Sequence, residues 1–470
     1  MKSNDLLALI RNGQPMTLGQ QLSLTWKLSI PAIMAQLSSI VMQYIDAAMV
    51  GSLGAGAAAS IGLVSTTTWL FGGTCSAVAT GFSVQVAHAI GAGDMLRARS
   101  VLRQALVAVG LFGLLWGVAG ASISGSLPVW LGGDPSICRD ASLYFLIYSA
   151  FLPVLQIYIL AAGMLRCEGN MHVPSMLGVL MCLLDVVFNF FLIFPTRDME
   201  LFGMAVRMPG AGWGVEGAAL GTGLAELVAG GWALVYLCTR SKEMRLSHER
   251  GSFRPAAATL KNAVRIGLPM GVEHAVICGA QIMTTVIVAP LGIFAIAANS
   301  FAITAESLCY MPGYGIADAA TVLAGQSYGA GRGDLSRRFA AITVSMGMLV
   351  MGLMGVVMYV GAPFIMGTMT PDGEVIALGV EALRIEAFAE PMFAAAIVAY
   401  GVFVGMGKTV VPCVMNLFSI WAVRLTLAAW LAPTMGLKGV WLAMCIELCF
   451  RGVIFLLRLG WVFRKKPSAV

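Results

Sequence analysis

Apolar residues in this chain neither alternate nor recur as amphipathic stripes; they run on for about twenty residues or more at a time. Twelve such runs lie near 28–50, 56–86, 104–126, 142–165, 173–195, 213–237, 264–289, 293–323, 340–367, 380–404, 411–433 and 438–460. A hydrocarbon core about 30 Å thick takes ~20 helical residues to cross, so each run predicts a membrane-spanning helix. The longer runs predict tilt or extension past the bilayer. The polar interruptions are short, with one exception. Residues 239–262 carry Arg240, Lys242, Arg245, Arg250 and Arg254, and read as a cytoplasmic linker between two halves, 1–238 and 263–470, of six spans each.

The halves are copies. Pro31, Gly54, Gly91, Gly93, Gly169 and Pro174 recur as Pro269, Gly292, Gly329, Gly331, Gly407 and Pro412, always 238 residues later. After the fifth span the offset falls to 222, as in Gly214 to Gly436 and Gly217 to Gly439, so the first half has a longer loop at Pro195–Gly210. The expected fold is an all-α integral membrane protein, with 12 transmembrane helices in two pseudo-symmetric six-helix bundles. An even number of spans makes the copies parallel, related by an axis along the membrane normal. Repeat halves around a central cleft suit alternating-access transport; duplication without a transport role is the alternative.

Composition narrows the class further. Hydrophobic residues make up 59% of the 470 and charged residues 11%, against about 25% charged in a soluble domain. That excludes a soluble enzyme, a disordered chain and a disulfide-rich secreted domain. The 9% of aromatic residues is too few for the girdles of an outer-membrane barrel, whose strands are also shorter than these runs. Most of the ten cysteines lie within apolar runs, without zinc or disulfide-framework spacing. Cys445 and Cys449 share a helix face and read as a packed pair. Residues Met1 to Thr25 have no continuous apolar core and no cleavage site, so no removable signal peptide is expected.

The net charge of +6 is distributed by topology. Only Arg139, Arg197, Arg207, Arg384 and Lys438 fall in the loops opposite the termini, and Arg424 and Arg451 lie within spans. The other basic residues flank the termini, the linker and the loops on that side. The expected placement is a cell inner membrane protein with both termini cytoplasmic. The basic linker needs no nucleic-acid partner to explain it.

Several motifs resemble one family. They are Asp-x-x-Met-Val-Gly at 46–51, Gly-Ala-Gly-Asp at 91–94 and Gly-Ala-Ala-Leu-Gly-Thr at 217–222. Gly-Gln-Ser-Tyr-Gly-Ala-Gly at 325–331 and Gly-Met-Gly-Lys-Thr-x-x-Pro at 405–412 complete the set. In this order, over twelve spans, they resemble the multidrug and toxic compound extrusion (MATE) family of cation-coupled efflux pumps. Ionisable groups within a span cost about 2.5–3.5 kcal/mol on insertion scales and face a cavity or a partner. Asp46, Asp185, Asn189 and Thr222 reach similar depths, roughly 6–15 Å below the same end of their spans. Two carboxylates with amide and hydroxyl oxygens suit one Na⁺ or a shared proton. The resemblance places a cation site here. It also marks a departure: many relatives show Asn then Asp four residues later, whereas this chain reads Asp185 then Asn189. A pair of hydrogen-bonded packing acids is the alternative.

In the second half Glu273, Glu306 and Glu390 are candidates for a substrate cleft or ion site. One subgroup of the family has acids where this chain has Ile277 and Met392, so Glu273 and Glu390 are offset from those positions. Glu447 is expected to pair with Arg451 at i+4, and Arg424 with Glu390. Glu226 is expected to line the cleft, Asp318 to sit near the cytoplasmic mouth, and His88 to anchor a loop by a hydrogen bond. The 29 methionines are mostly packing, though a polarizable lining also suits varied ligands. Gly405 to Thr409 lacks a phosphate-cradling loop, and no catalytic triad or metal cluster appears, so no enzyme activity is expected.

The expected function is secondary antiport, exporting organic cationic or amphipathic compounds against inward Na⁺ or H⁺. The coupling ion takes the place of a cofactor, membrane lipids are the other partners, and the working unit is a monomer. A flippase for lipid-linked or glycolipid substrates and a non-transporting membrane sensor are the alternatives.

Overall fold

A computed structural model describes residues 3–201, 204–246 and 251–464; Lys2, Arg250, Lys465 and Lys466 lie outside them. The helices are α1 (Ser3–Arg11), α2 (Leu18–Gly51), α3 (Ala55–Gly91), α4 (Met95–Ile123), α5 (Leu127–Trp130), α6 (Pro135–Glu168), α7 (His172–Ile193) and α8 (Gly214–Thr239). There follow α9 (Ala257–Val288), α10 (Ile293–Gly329), α11 (Gly333–Met369), α12 (Gly373–Glu386), α13 (Glu390–Gly405), α14 (Val410–Phe418), α15 (Thr426–Met435) and α16 (Leu437–Arg464). Strands β1 (Pro195–Leu201) and β2 (Met204–Ala211) pair antiparallel, so the longer loop of the first half is a hairpin. Arg197 lies over the rings of Phe190 and Phe194, at 4.8 and 4.2 Å from their centroids, and ties the hairpin to α7.

The helices account for twelve spans, with three local departures. The tenth is broken: α12 and α13 meet at 59°. The break, over Ala387–Ala389, lies just before Pro391, which has no N–H to bond the Ala387 carbonyl. The eleventh contains a π-helical stretch, Ser419–Leu425, between α14 and α15. The first begins at Leu18, earlier than its apolar run, and is preceded by the short amphipathic α1. Leu6, Leu7 and Ile10 of α1 are buried, and Arg332 donates to the carbonyls of Leu9 (3.3 Å) and Gln14 (2.6 Å) at its end. Within the stretch read as linker, Ser241 and the Glu243 amide donate to the buried Glu168 carboxylate at 2.6 and 2.9 Å.

The tandem repeat is visible in backbone geometry. Gly54 and Gly292 have φ of 119° and 103°, Gly93 and Gly331 76° and 70°, Gly169 and Gly407 92° and 71°, and Gly214 and Gly436 55° and 61°. Side chains avoid these conformations, and glycine does not. Asp134 and Asp372, again 238 apart, cap α6 and α12 by accepting from backbone amides at 2.8 and 2.9 Å.

Compactness divides the chain into one unit of Ser38–Val86 and Met95–Gly267, and another of Met1–Leu37, Ala87–Asp94 and Leu268–Val470. Short-side-chain packing holds each. In the second unit Ala298, Ala302 and Ala305 on α10 pack with Met358, Ala362 and Met366 on α11 and Trp441 on α16. There too the ends of α3 and α10 cross in a symmetric contact. A Cβ on Gly91 would lie 2.0 Å from the Gln326 carbonyl oxygen, and one on Gly329 would lie 2.1 Å from that of His88. His88 and Gln326 are themselves repeat mates. The His88 Nε2 lies 2.7 Å from the Gly405 carbonyl oxygen, an anchoring bond as expected.

Gly91→Val and Gly329→Val should each destabilise the protein by about 1–3 kcal/mol or more, because backbone blocks the added side chain. Gly110→Ala, with open space around its Cβ, should stay within about 0.5 kcal/mol. Thermal melting of the purified variants checks the contrast.

Candidate functional site

Three helices of the first unit bring its polar residues together. Residues 217 and 221 of α8 are glycines one turn apart, and α7 lies against both. A Cβ on Gly217 would sit 2.5 Å from the Leu192 carbonyl oxygen, and one on Gly221 would sit 2.0 Å from Asn189 Oδ1. Such close approach is how helices pack in lipid, where apolar burial supplies little drive between them. Val50 of α2, Ile193 of α7 and Ala218 of α8 form an apolar cluster, and the Cys182 thiol reaches the Ser38 carbonyl at 3.4 Å. Asp46 is thereby held against α7.

The i, i+4 spacing of Asp185 and Asn189 sets them one turn apart on one face, both fully buried. The Asn189 amide donates to Asp46 Oδ1 at 2.9 Å and to Asp185 Oδ2 at 3.2 Å. Asp46 and Asp185 also lie within reach of each other, with Thr222 beside Asp185. The Thr222 hydroxyl donates to the Ala218 carbonyl at 3.2 Å, which leaves its oxygen able to accept. All four residues singled out in the first half are therefore neighbours. Among the described residues no basic side chain pairs with Asp46 or Asp185. Two adjacent carboxylates without a counter-charge repel, and a proton or a cation between them removes the repulsion.

Asp185 Oδ1 and Asn189 Oδ1 are buried without a hydrogen-bond partner; the Asn189 oxygen rests against Gly221, so it reaches a ligand at the aspartates only if the amide turns over. Among the described residues no three His, Cys, Asp or Glu are grouped as a metal site. A cation at the two aspartates would therefore draw its further oxygens from Asn189 and Thr222.

Thr222 also lines a small cavity with Tyr144, Tyr148 and Phe151 of α6 and Ala219, Gly223 and Glu226 of α8. Glu226, expected to line a cleft, lines this cavity, and Thr222 is the residue that it shares with the carboxylate cluster. The Tyr148 hydroxyl donates to the Thr68 carbonyl at 2.9 Å. The two tyrosines were not legible as site residues, since an aromatic within an apolar run reads as packing.

In the second half the three glutamates separate. Glu273 is enclosed by donors: Tyr400 and Asn416 at 2.5 Å and the Cys413 thiol at 2.9 Å. Glu306 and Glu390 lie elsewhere, near Glu386, a fourth acid that the sequence reading passed over. All four are buried. The expected pairing of Arg424 with Glu390 does not form. Arg424 instead binds Glu447 at 2.6 Å, and Arg451 binds the same carboxylate at 2.8 Å. The π-helical stretch inserts extra backbone before Arg424 and changes the direction in which it points. Asp318 accepts from Gln36 at 3.4 Å.

Comparison with known proteins agrees with this architecture. The MatE family model matches residues 31–191 and again 269–430, starting in each half at the repeat-related proline. The probable multidrug resistance protein NorM of Idiomarina loihiensis is 26% identical over 453 residues, covering 93% of this chain and 94% of that one. The multidrug resistance protein PmpM of Pseudomonas aeruginosa is 26% identical over 451 residues, covering 92% and 90%. Among solved structures, a MOP superfamily transporter from Pyrococcus furiosus superposes with a TM-score of 0.87 at 19% identity, covering 99% and 98% of the two chains. An outward-facing multidrug resistance MATE family transporter gives 0.87 at 19%, covering 99% of each. The solved structures are similar in fold.

Gly221→Ala should push the Asn189 amide off the two aspartates and cost about 1–3 kcal/mol. In an Asn189→Ala background the same change should cost much less, because the colliding oxygen is gone. Gly231→Ala, with nothing near its Cβ, serves as the control, and melting of these four variants beside the wild type reads the coupling.

Proposed function

Because this chain belongs to the MatE family of membrane transporters, we propose that it is a secondary antiporter expelling organic cationic or amphipathic compounds in exchange for entering Na⁺ or H⁺. The observation that carries the reading is the Asp46–Asn189–Asp185 cluster, with Asp185 and Asn189 fully buried, two carboxylates, no basic partner among the described residues and a small cavity beside Thr222. A structural ion pair would supply its own counter-charge; this cluster takes one from an ion that comes and goes. The names of the multidrug resistance relatives support drug export as the outcome.

Each residue has a role in that exchange. Asp46 and Asp185 supply the charge for which the ion and an organic cation would compete, Asn189 bridges them, and Thr222 lies between Asp185 and the small cavity. Binding of the ion and of the compound then exclude each other, which is the requirement for antiport. The amide as it stands, donating to both aspartates, suits a shared proton. Na⁺ would require the amide to present its oxygen, a reversal that leaves the side chain's shape unchanged. The exchanged order, Asp185 before Asn189, keeps the same ligand types within one helical turn. The basic residues support an inner-membrane orientation with both termini cytoplasmic, and a single chain supplies the whole cluster.

Vesicles holding the purified protein, loaded with ethidium under an imposed pH or Na⁺ gradient, test the reading and identify the ion. Gradient-driven movement is expected. Movement of lipid headgroups alone would mean a flippase, and binding without flux a sensor. Asp46→Asn should reduce coupled efflux to background while the protein still folds and inserts. Exchanging residues 185 and 189 should shift apparent ion affinity more than maximal flux, whereas Asp185→Asn alone should be far more damaging. For orientation, an impermeant maleimide should label Cys138 in intact cells and should leave Ser252→Cys untouched until the membrane is opened.

A further inference from the structure

Of the ten cysteines, Cys445 and Cys449 of α16 alone lie about one helical turn apart in sequence. Their thiols are within hydrogen-bonding reach of each other. Six of the other cysteines are buried, whereas this pair is half-exposed. A structural cysteine is closed over by its neighbours and inert; these two stay open to a reagent.

The wall beside them is apolar and aromatic. Against α13, a Cβ on Gly452 of α16 would sit 2.5 Å from the Met392 carbonyl oxygen. Both cysteines pack on the cluster that holds Phe393 of α13 and Met351 of α11, with Tyr310 and Met348 at its margin. Thioether sulfurs and ring faces are polarizable and accept a soft, aromatic ligand. Glu447, between the two cysteines in sequence, is occupied elsewhere, since Arg424, Arg451 and Ser419 hold its carboxylate.

Geometry and charge decide what two such thiols take. Residues at i, i+4 hold their Cβ atoms about 5–6 Å apart, whereas a disulfide needs about 3.5–4.5 Å. A direct S–S bond would distort α16, but an atom inserted between the sulfurs spans the gap. Zinc asks for four ligands. A monovalent soft ion on two thiolates leaves a negative charge, which a membrane span disfavours. Mercuric ion gives a neutral product but prefers its sulfurs in line, farther apart than two hydrogen-bonding thiols. Trivalent arsenic bearing an organic group binds two sulfurs at a bent angle, gives a neutral product and leaves its organic group for the apolar wall.

We propose that Cys445 and Cys449 form a dithiol site for trivalent organoarsenicals, with the organic group seated against the cluster of Phe393 and Met351. An R–As=O compound takes up both thiols. Two As–S bonds form, the As=O and both S–H bonds break, and the oxygen leaves as water with the two thiol protons. Arsenic stays trivalent, so no oxidant or reductant takes part. The site stands independently of the antiport reading.

Phenylarsine oxide, added to the full chain in lipid, is the probe, followed by intact-protein mass and peptide mapping. Mercaptoethanol strips arsenic held by one sulfur, so one adduct per chain should survive that wash, on the peptide containing both cysteines. Dimercaprol, which offers two sulfurs of its own, should remove it. Cys445→Ser and Cys449→Ser keep the side-chain shape and should fold. Each should weaken retention about a hundredfold or more, the advantage that a second tethered contact supplies. Cys138→Ser should leave the adduct unchanged. A wild-type chain without a wash-resistant adduct, an adduct mapped to other cysteines, or equal retention by either Ser variant overturns the site. Methylarsine oxide should be retained less well than the phenyl compound, and equal retention overturns the seat of the organic group.

Discussion

Contact between glycine and a carbonyl of the neighbouring helix is the constraint on which this molecule depends. Lipid tails are as apolar as leucine, so helices within a bilayer gain little by hiding from them and must be held by close packing. Gly217 meets the Leu192 carbonyl, Gly221 the Asn189 side chain, and Gly91 and Gly329 the carbonyls of each other's helix. At such distances the glycine Cα–H points at the oxygen, a weak interaction that recurs where helices touch. The polar groups follow from that packing. Asn189 reaches both aspartates because α8 has no side chain at 221 to keep α7 away.

The two halves use one scaffold for different electrostatics. In the first, the carboxylates of Asp46 and Asp185 are bridged by an amide, with no arginine beside them among the described residues. In the second, two arginines converge on Glu447, and Glu386 and Glu390 are left without donors among the described residues. Duplication supplies two equivalent backbones; substitution at a few positions, Thr68 against Glu306 and Tyr148 against Glu386, sets the charge that each carries. The chain therefore has the architecture of a symmetric machine and an asymmetric distribution of charge.

Much of this was legible before any coordinates. Hydropathy located the spans, since in a bilayer every backbone group must be satisfied within its own helix. Glycines and prolines 238 apart exposed the repeat because their backbone roles are irreplaceable, as the positive φ of Gly54, Gly93, Gly169 and their mates shows. The depth argument brought Asp46, Asp185, Asn189 and Thr222 together correctly. It failed for Arg424, because depth assumes a regular helix and the π-helical stretch re-aims the side chain. The hairpin at Pro195–Ala211 was hidden in a loop too short and mixed to show alternation. Glu386 was overlooked because it lies in the first two turns of the tenth run, close to Glu381 and Arg384, where acids normally meet water.

The break in the tenth span has a mechanical meaning. In the first half, Pro153 occupies the place of Pro391, yet α6 runs through it without interruption. In both halves the carbonyl that the proline frees rests on a glycine of the preceding span, Ser149 on Gly117 and Ala387 on Gly355. One half thus contains a rod where the other contains a joint. Lateral pressure or a change in bilayer thickness loads a rod along its whole length, so α6 tilts as a body. The same load on the tenth span is taken up at Ala387–Ala389, between two glutamates. Membrane composition therefore acts on the two halves unequally, and in the second it acts on the residues flanking the joint.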